Sequence, residues 1–395
     1  MLPFTDDNVI EPFIPPLPRE ESESSSRLSV PTGIPHSLVP PPLTLLPYEH
    51  DQPVIPNEAD DESSPSYPLK MYRFRPKRGD WKHIPSRKSS STDNDPRARP
   101  FPSSVRIITW NVNNVENVWQ DRINGILRHL QSVIDSYDER EENERYKGGA
   151  VVVLFQEITP MMLNLLRIDD WVRRTFAIVP LREDKWPRQA YCGNVTLVSR
   201  DLEVVKAQIV HFCMTDAQRT GLLVYVQMSP TGKIEDKRTI CIANTHLEPL
   251  PNGERKRARQ LEALAQLLKL DDDIEGGIIA GDMNPIGKTD CFLAHNLGLD
   301  DAWRRGSSDP EGFTWGYQSL DEEKKYPPAR LDKILYVPKR RYNVDEPQRI
   351  GVGLMAVVPG KENHWVSGHY GLLTSLHVVG WKLQAVFRVK KNEKE

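Results

Sequence analysis

The sequence predicts an α+β fold in which two sheets pack face to face and helices lie outside them. Strand-like segments outnumber helical ones between residues 105 and 380, and many neighbouring strands are joined by short connections. Of the 33 prolines, 20 lie at or before Pro102, beside the serine runs ESESSS and SRKSSSTDND. The first hundred residues therefore cannot bury much apolar surface. Roughly 290 residues remain, which is enough for one two-layered core.

Composition divides the chain into three segments. Residues 1–66 are expected to form a disordered Pro/Ser-rich tail, residues 67–104 a partly ordered lead-in, and residues 105–390 the main folded domain. In the lead-in, the stretch LKMYRFRPKRGDWKHIP alternates aromatic and basic residues. Such alternation suits a nucleic-acid contact, but it also suits an edge strand docked on the domain, and we favour docking.

The apolar spacing predicts each element in order. Helices are expected over 118–137, from Pro160 to Arg167, and over 254–270, because apolar residues recur at helical spacing and proline suits a first turn. Strands are expected over 105–110, 150–155, 193–199, 220–228, 238–244, 276–280, 329–337, 353–358 and 370–380, with 381–389 as a further closing strand.

Bulk properties limit the class of partner. A net charge of −3 and a pI near 6.4 exclude an overall positive field that would draw the protein to nucleic acid or anionic lipid. The four cysteines are scattered without a CxxC pair, which favours a reduced compartment. The start, MLPFTDDNVI, lacks signal-peptide features, and no apolar run approaches membrane-spanning length. We therefore expect an intracellular protein without a membrane partner.

Polar side chains follow four of the predicted strands. Asn111 ends the first of them, Glu157 and His246 follow two others, and Asp282 and Asn284 follow the fourth. Each of these residues alone is weak evidence for a site, since Asp and Asn often end strands by hydrogen-bonding their own backbone. Together, carboxylates, amides and a histidine suit the hydrolysis of a phosphate ester at a metal ion. Mg²⁺ keeps most of its waters, so Glu157 could be its single firm protein ligand.

Two further residues near the carboxyl terminus form a plausible pair. Asp332 is predicted to lie inside a strand, where an unpaired carboxylate would be costly. His369 comes just before another strand. An aspartate that accepts a hydrogen bond from a histidine fixes its tautomer and raises its basicity, so we predict that Asp332 and His369 interact.

The motifs TWN, QE, NTHLE, GDMN, RLDKI and SGHYG, in this order, resemble the endonuclease/exonuclease/phosphatase superfamily of magnesium-dependent phosphodiesterases. They cover about residues 105 to 380. Within the superfamily, HLEPLPNGERKRARQLEAL, DDAWRR, GFTWGYQ and ARLDKILY are most similar to 5′-tyrosyl-DNA phosphodiesterases, which cut the bond between a tyrosine and a DNA 5′-phosphate. The resemblance implies a four-layer α/β sandwich, with two packed, mainly antiparallel sheets flanked by helices.

The resemblance also implies catalytic roles. Asp282 would activate the attacking water, with Asn284 as its orienting partner. His246 and His369 would contact the phosphate and stabilise its developing charge, and Asp332 would hold His369.

The resemblance also implies metal-binding and substrate-binding residues. Glu157 would bind Mg²⁺, with Mn²⁺ as a substitute, and Asn111 would lie beside both metal and phosphate, so that it belongs to the metal and the catalytic sets. Trp315 matches an aromatic residue near the substrate, although a core tryptophan fits equally. Arg255 and Arg257, in the basic stretch GERKRARQ, are candidates for a groove that binds single strands; a solvated helix face is the alternative.

Three positions depart from the family pattern. Asn113 and Gly368 stand where the family has acids, and Pro249 stands where it has a serine. Two negative charges near the metal are absent, so a weaker Mg²⁺ site or an altered substrate preference is expected.

The predicted function is magnesium-dependent hydrolysis of a phosphodiester at a DNA 5′ end, on a tyrosyl adduct, in DNA repair and in the nucleus rather than the cytoplasm. DNA 5′ ends or protein–DNA adducts are the expected partners, with RNA as the alternative polymer, and the Pro-rich tail could bind a protein partner. The alternatives are an abasic-site endonuclease, an RNA deadenylase, or a non-catalytic scaffold that keeps the fold.

Overall fold

The computed structural model describes residues 63–85, 100–114, 117–140, 149–306, 308–318, 326–356 and 363–380. The tail over 1–62, and with it the Pro-rich segment expected to bind a partner, lies outside the described residues, as does the closing strand predicted over 381–389. Within the described ranges, no helix combines the length and apolar character needed to cross a membrane.

The described residues form eighteen strands and five α-helices. The helices are α1 (Trp119–Arg140), α2 (Pro160–Ile168), α3 (Asp170–Thr175), α4 (Glu254–Leu270) and α5 (Asp290–Asn296). The strands are β1 (Ser66–Leu69), β2 (Tyr72–Arg75), β3 (Asp80–His83), β4 (Ser104–Asn111), β5 (Ala150–Ile158), β6 (Phe176–Val179), β7 (Gly193–Ser199), β8 (Glu203–His211), β9 (Thr220–Met228), β10 (Arg238–His246), β11 (Gly277–Asp282), β12 (Asp300–Asp301), β13 (Asp332–Tyr336), β14 (Tyr342–Val344), β15 (Gln348–Ile350), β16 (Met355–Ala356), β17 (His364–Trp365) and β18 (Gly371–Val378).

Two large sheets contain most of these strands. The first sheet has the order β1-β8-β9-β10-β11-β13-β12, and the second has the order β14-β18-β4-β5-β7-β6-β2-β3, with β15 also paired to β18. Pairing is antiparallel except at β10/β11 and β4/β5. Each parallel pair is joined through a helix, α4 in the first sheet and α1 in the second, as parallel neighbours require. The carboxyl ends of β4, β5, β10 and β11 thus become available to one site.

Alternating side chains separate the layers. On β10, Ile242 packs in the core between the sheets, whereas its neighbours Cys241 and Ala243 pack with Leu261 and Leu264 of α4 on the outer face. This period of two is what a strand buried on both faces requires. The apolar stripe of α1 lies on the outside of the other sheet and joins the main core. The result is helix, sheet, sheet, helix, which confirms the predicted four-layer sandwich.

The segment 66–83 extends both sheets at their edges. Strand β1 pairs with β8 in the first sheet, while β2 pairs with β6 in the second and carries β3 beyond it. Pairing at both edges covers backbone groups that would otherwise be open to another chain. The alternating aromatic and basic residues of this segment therefore lie in β2 and β3, the last two strands of the second sheet.

Polar side chains tie the two sheets together just behind their carboxyl ends. Gln156 of β5 donates from Nε2 to Thr109 Oγ1 and to Asn244 Oδ1, both at 2.9 Å. Asn244 of β10 in turn donates from Nδ2 to the carbonyl of Phe155 at 3.1 Å. Both amides are fully buried, so these bonds are protected from water and hold the strand ends in register.

Candidate active site

Strand register places three of the predicted site residues side by side. Because β10 and β11 are parallel, His246 lies directly opposite Asp282. Because β11 and β13 are antiparallel, Asp282 also lies directly opposite Asp332. Opposed side chains on adjacent strands lie within contact distance. The backbone of the first sheet therefore fixes the row His246, Asp282, Asp332 without any contribution from loops.

The second sheet adds a carboxylate and an amide beside this row, and these side chains at the ends of the two sheets line the candidate cleft. Glu157 lies at an irregularity in the β5/β7 pairing and has φ of 60°, so its side chain departs from the normal alternation. Asn111, at the end of β4, donates from Nδ2 to Glu157 Oε1 at 3.2 Å and to Asp282 Oδ2 at 2.9 Å. One buried amide thus links the carboxylates of the two sheets.

His369 is held by hydrogen bonds on both its backbone and its ring. Its carbonyl accepts from Trp110 Nε1 at 2.9 Å, and its N–H donates to Ser367 Oγ at 3.0 Å. Its Nδ1 lies 2.8 Å from Asp332 Oδ2, which leaves Nε2 pointing into the cleft, 3.9 Å from Asp282 Oδ2. The predicted interaction between Asp332 and His369 is present in this structure.

Asn284 closes the turn that follows Asp282. It has φ of 44°, and its N–H donates to Asp282 Oδ1 at 3.0 Å. Its Nδ2 donates to the carbonyl of Leu247 at 3.1 Å, so the chain after β11 is tied to the chain after β10. Asp282 therefore receives hydrogen bonds on both of its oxygens, which fixes the orientation of the carboxylate.

Burial and neighbouring charges separate the proton affinities of the site. Burial, and then the charge of Asp332, raise the pKa of Asp282 above its ordinary value. Burial, and then Arg219 and His369, hold the pKa of His246 well below its ordinary value, so its imidazole is neutral. For His369 burial acts to lower the pKa, but Asp332 and Asp282 raise it to about 9. The cleft thus contains a basic carboxylate, a neutral imidazole and an imidazolium.

Two groups of residues in the cleft could hold a cation. Ligand atoms of Asp282, Asp332 and His369 lie within 4.8 Å of one another, but all three residues are buried. Glu157, by contrast, is half-buried, so that a hydrated ion could reach its carboxylate. A hard cation that keeps its waters therefore fits Glu157 better than the buried cluster.

The predicted substrate residues have different environments. Trp315 is half-buried, and its backbone forms a bridge to His369, which places it beside the cleft. Arg255 is exposed on α4. Arg257 is fully buried; its Nη2 lies 2.7 Å from Asp290 Oδ2, and its Nη1 donates to the carbonyls of residues 248 and 250. The prediction that Arg257 contacts substrate is therefore wrong, since a guanidinium paired in the interior cannot reach a groove.

Arg219 is a site residue that was not predicted. It precedes β9, which is antiparallel to β10, so it lies near the end of β10 that carries His246. After burial, its positive charge is the next cause of the low pKa of His246. Its Nε has no hydrogen-bond partner in the described part of the chain. An arginine before a strand that neighbours a motif strand is the signal that could have identified it.

The chain is similar to characterised proteins in both sequence and fold. No family model matches the chain. Tyrosyl-DNA phosphodiesterase 2 of Gallus gallus is 25% identical over 289 residues, which span 70% of this chain and 68% of that protein. The crystal structure of D. rerio TDP2 complexed with a single-strand DNA product aligns with a TM-score of 0.52 at 20% identity, over 70% of this chain and 100% of that one. A humanized D. rerio TDP2 with 14 mutations gives a TM-score of 0.51 at 20% identity over the same shares.

Proposed function

We propose that this chain, which has the fold of the endonuclease/exonuclease/phosphatase superfamily and is similar in sequence to tyrosyl-DNA phosphodiesterase 2, hydrolyses a phosphodiester at a DNA 5′ end. The preferred bond would join a tyrosine to the 5′-phosphate, and the biological role would be DNA repair in the nucleus. The observation that carries the proposal is the convergence of Glu157, Asp282, His246 and His369 on one cleft at the ends of two sheets. Such groups, at hydrogen-bonding distances from a shared centre, suit attack of water on phosphorus.

Asp282 is the group suited to take a proton from the attacking water. Its carboxylate is 2% exposed and its pKa is raised, so it is a stronger base than a surface aspartate. Asn111 and Asn284 donate to its two oxygens and leave its position fixed. Pre-oriented groups avoid reorganisation during the reaction, which lowers the barrier.

The two histidines differ in charge and therefore in their proposed catalytic roles. His369 is an imidazolium over the neutral pH range and can donate from Nε2 to an oxygen that gains negative charge. Asp332 holds its Nδ1 and fixes the orientation of the ring. His246 is neutral; its Nε2 lies 3.4 Å from Asp282 Oδ2, and its Nδ1 has no partner among the described residues. It can orient the phosphate by hydrogen bonding without competing for the proton that Asp282 accepts.

Glu157, with Asn111 beside it, would hold the divalent cation, for which Mg²⁺ is proposed and Mn²⁺ as a substitute. When bound, the ion would supply Lewis-acid stabilisation of charge on the phosphate oxygens. Both Glu157 oxygens already accept hydrogen bonds, from Asn111 Nδ2 at 3.2 Å and from the Asn114 N–H at 3.1 Å. These bonds hold the carboxylate in one orientation.

Hydrolysis of p-nitrophenyl thymidine 5′-phosphate with Mg²⁺ and then with EDTA tests the reaction class. We expect release that depends on metal and falls by on the order of a hundredfold or more in Asp282→Asn. Asp273→Asn is the matched control, because Asp273 is exposed in the turn before the opposite end of β11. No release at any metal concentration would instead support a non-catalytic scaffold.

A second assay tests the substrate. A 5′-phosphotyrosyl oligonucleotide is compared with polyadenylated RNA and with an abasic duplex, each at equal concentration. We expect the tyrosyl oligonucleotide to give the highest kcat/KM. Preferential cleavage of the RNA or of the abasic duplex would retain the fold and the reaction class but replace the proposed substrate.

A further inference from the structure

A guanidinium lies beside the active-site cleft, on the side where two family acids are missing. Arg122 belongs to the first turn of α1 and is half-buried. Its Nη1 donates to the Asn113 carbonyl at 2.8 Å and also to Asn113 Oδ1. Two bonds from one nitrogen to a single residue fix the head group, and Asn113 is held with φ of 52°. The positive charge therefore has a defined position.

A short chain of hydrogen bonds connects this charge to the metal ligand. The Asn113 N–H donates to Asn111 Oδ1 at 2.9 Å, and the next residue, Asn114, donates from its N–H to Glu157 Oε2 at 3.1 Å. Burial lowers the pKa of the Arg122 guanidinium, whereas the Glu157 carboxylate raises it, so the two charges act on each other. Arginine remains protonated in such surroundings. A cation bound at Glu157 would therefore be exposed to the Arg122 charge.

Gly368 also lies against the Asn113 side chain. A Cβ built on Gly368 would lie 3.3 Å from Asn113 Oδ1, the atom that Arg122 also contacts. A carboxylate at position 368 would thus meet the Arg122 guanidinium. In this chain the neighbourhood contains an amide and a glycine, so the positive charge has neither of the two acids that the family pattern would place here.

We propose that Arg122 is a fixed cation of the cleft that weakens divalent-ion binding at Glu157. The proposal rests on the proposed function, because that function assigns the metal to Glu157. A fixed unit charge repels a dication across a partly buried cleft, where screening is weaker than in water. Arg122 therefore acts on the bound ion through its fixed charge and not as a general base or acid.

Direct measurement of metal binding by the full chain tests this without a substrate. Mn²⁺ binding is followed by electron paramagnetic resonance of the free ion, and Mg²⁺ binding by calorimetry. We expect Arg122→Gln, which removes the charge and keeps a donor, to lower the dissociation constant by about tenfold or more. Arg122→Lys keeps the charge and should retain the wild-type constant. Thermal unfolding of each variant checks that the fold is intact.

Gly368→Asp supplies the sharper comparison. In the wild-type background the new carboxylate should pair with Arg122, and the metal dissociation constant should fall by no more than severalfold. In the Arg122→Gln background the same carboxylate is unpaired and should tighten binding more strongly. Additive effects would overturn the proposal.

An unchanged or weaker affinity in a folded Arg122→Gln variant would overturn the proposal, as would Arg122→Lys behaving like Arg122→Gln. If the chain hydrolyses no phosphodiester but Arg122→Gln still tightens Mn²⁺ binding, the inference stands and the proposed function fails.

Discussion

Asp332→Asn is the change that most directly tests the proposed charge of His369. The pKa of His369 rises from an ordinary 6.5 to about 9; burial acts against this rise, and Asp332, Asp282 and Glu157 produce it. That rise corresponds to roughly 3 kcal/mol in favour of the imidazolium. Asp332 is the largest of the raising causes and the only group among them within hydrogen-bond distance of the ring. The substitution removes its charge and keeps its shape.

The pH dependence of the rate should change in a defined direction. A group with a raised pKa is protonated below that pKa, so activity that needs the imidazolium falls as pH rises through about 9. In Asp332→Asn the pKa falls toward 6.5, and the alkaline limb moves to lower pH. At pH 8 the protonated fraction would drop from about 90% to about 3%, which is up to a thirtyfold loss of rate from this cause alone. Near pH 5.5 the loss should be much smaller.

The assay is kcat/KM for p-nitrophenyl thymidine 5′-phosphate at saturating Mg²⁺ from pH 5 to 10. The control is Asp345→Asn, because Asp345 Oδ2 lies 2.9 Å from His377 Nε2 in an exposed pair of the same type. That variant should retain the wild-type profile. An alkaline limb at the same pH in Asp332→Asn and in the wild type would refute the assigned charge of His369.

Three further changes have defined outcomes. Glu157→Gln should raise the Mg²⁺ concentration for half-maximal activity by about tenfold or more, because a neutral amide is a weaker ligand than a carboxylate. Titration of the activity with Mg²⁺ measures this, and an unchanged Mg²⁺ requirement would refute the ligand assignment. Arg257→Met leaves a buried carboxylate unpaired and should lower the free energy of unfolding in urea by about 3–5 kcal/mol; wild-type stability would contradict this. Gly351→Ala should destabilise more than Gly353→Ala in thermal unfolding: both residues have positive φ, but only at Gly351 would a Cβ lie 2.3 Å from the Trp110 ring. Equal melting temperatures would show that packing adds nothing to backbone strain.

Local sequence patterns predicted the elements whose side chains are either all buried or buried at regular spacing. The predicted bounds of β9 and α4, 220–228 and 254–270, agree with the structure, since one is buried along its whole length and the other carries a regular apolar stripe. Strand β8 was not predicted. Its pairing with β9 shifts register between Val204 and Lys206, and the shift breaks the alternation of exposed and buried side chains. Its partners also include β1, far away in the chain, which no local pattern can reveal.

In the candidate site, too, local patterns predicted some residues and missed others. Asp282, His246 and Glu157 were predicted to follow strands, and the pairing of those strands brings their side chains together. Arg257 was assigned to a groove because a basic helix start looks the same in sequence whether it is solvated or buried. Its partner Asp290 lies 33 residues further along the chain. Arg122 was not identified, because its importance comes from Asn113 and Glu157 in three dimensions.

The position of the site on strands determines which changes can alter chemistry without altering the fold. His246, Asp282 and Asp332 are fixed by ladder register, so displacing one of them requires a register change in a sheet whose interior is fully buried. The contacts between the sheets depend on side chains instead: Asn111 bonds Asp282 and Glu157 at once, and His369 bonds Asp332. The buried pair Gln156 and Asn244 joins the sheets behind them, so we expect loss of the Asn111 amide to leave the sheets packed and to release the proposed base from the proposed metal ligand. The proposed catalytic alignment should therefore be more sensitive to these inter-sheet side chains than to the stability of either sheet.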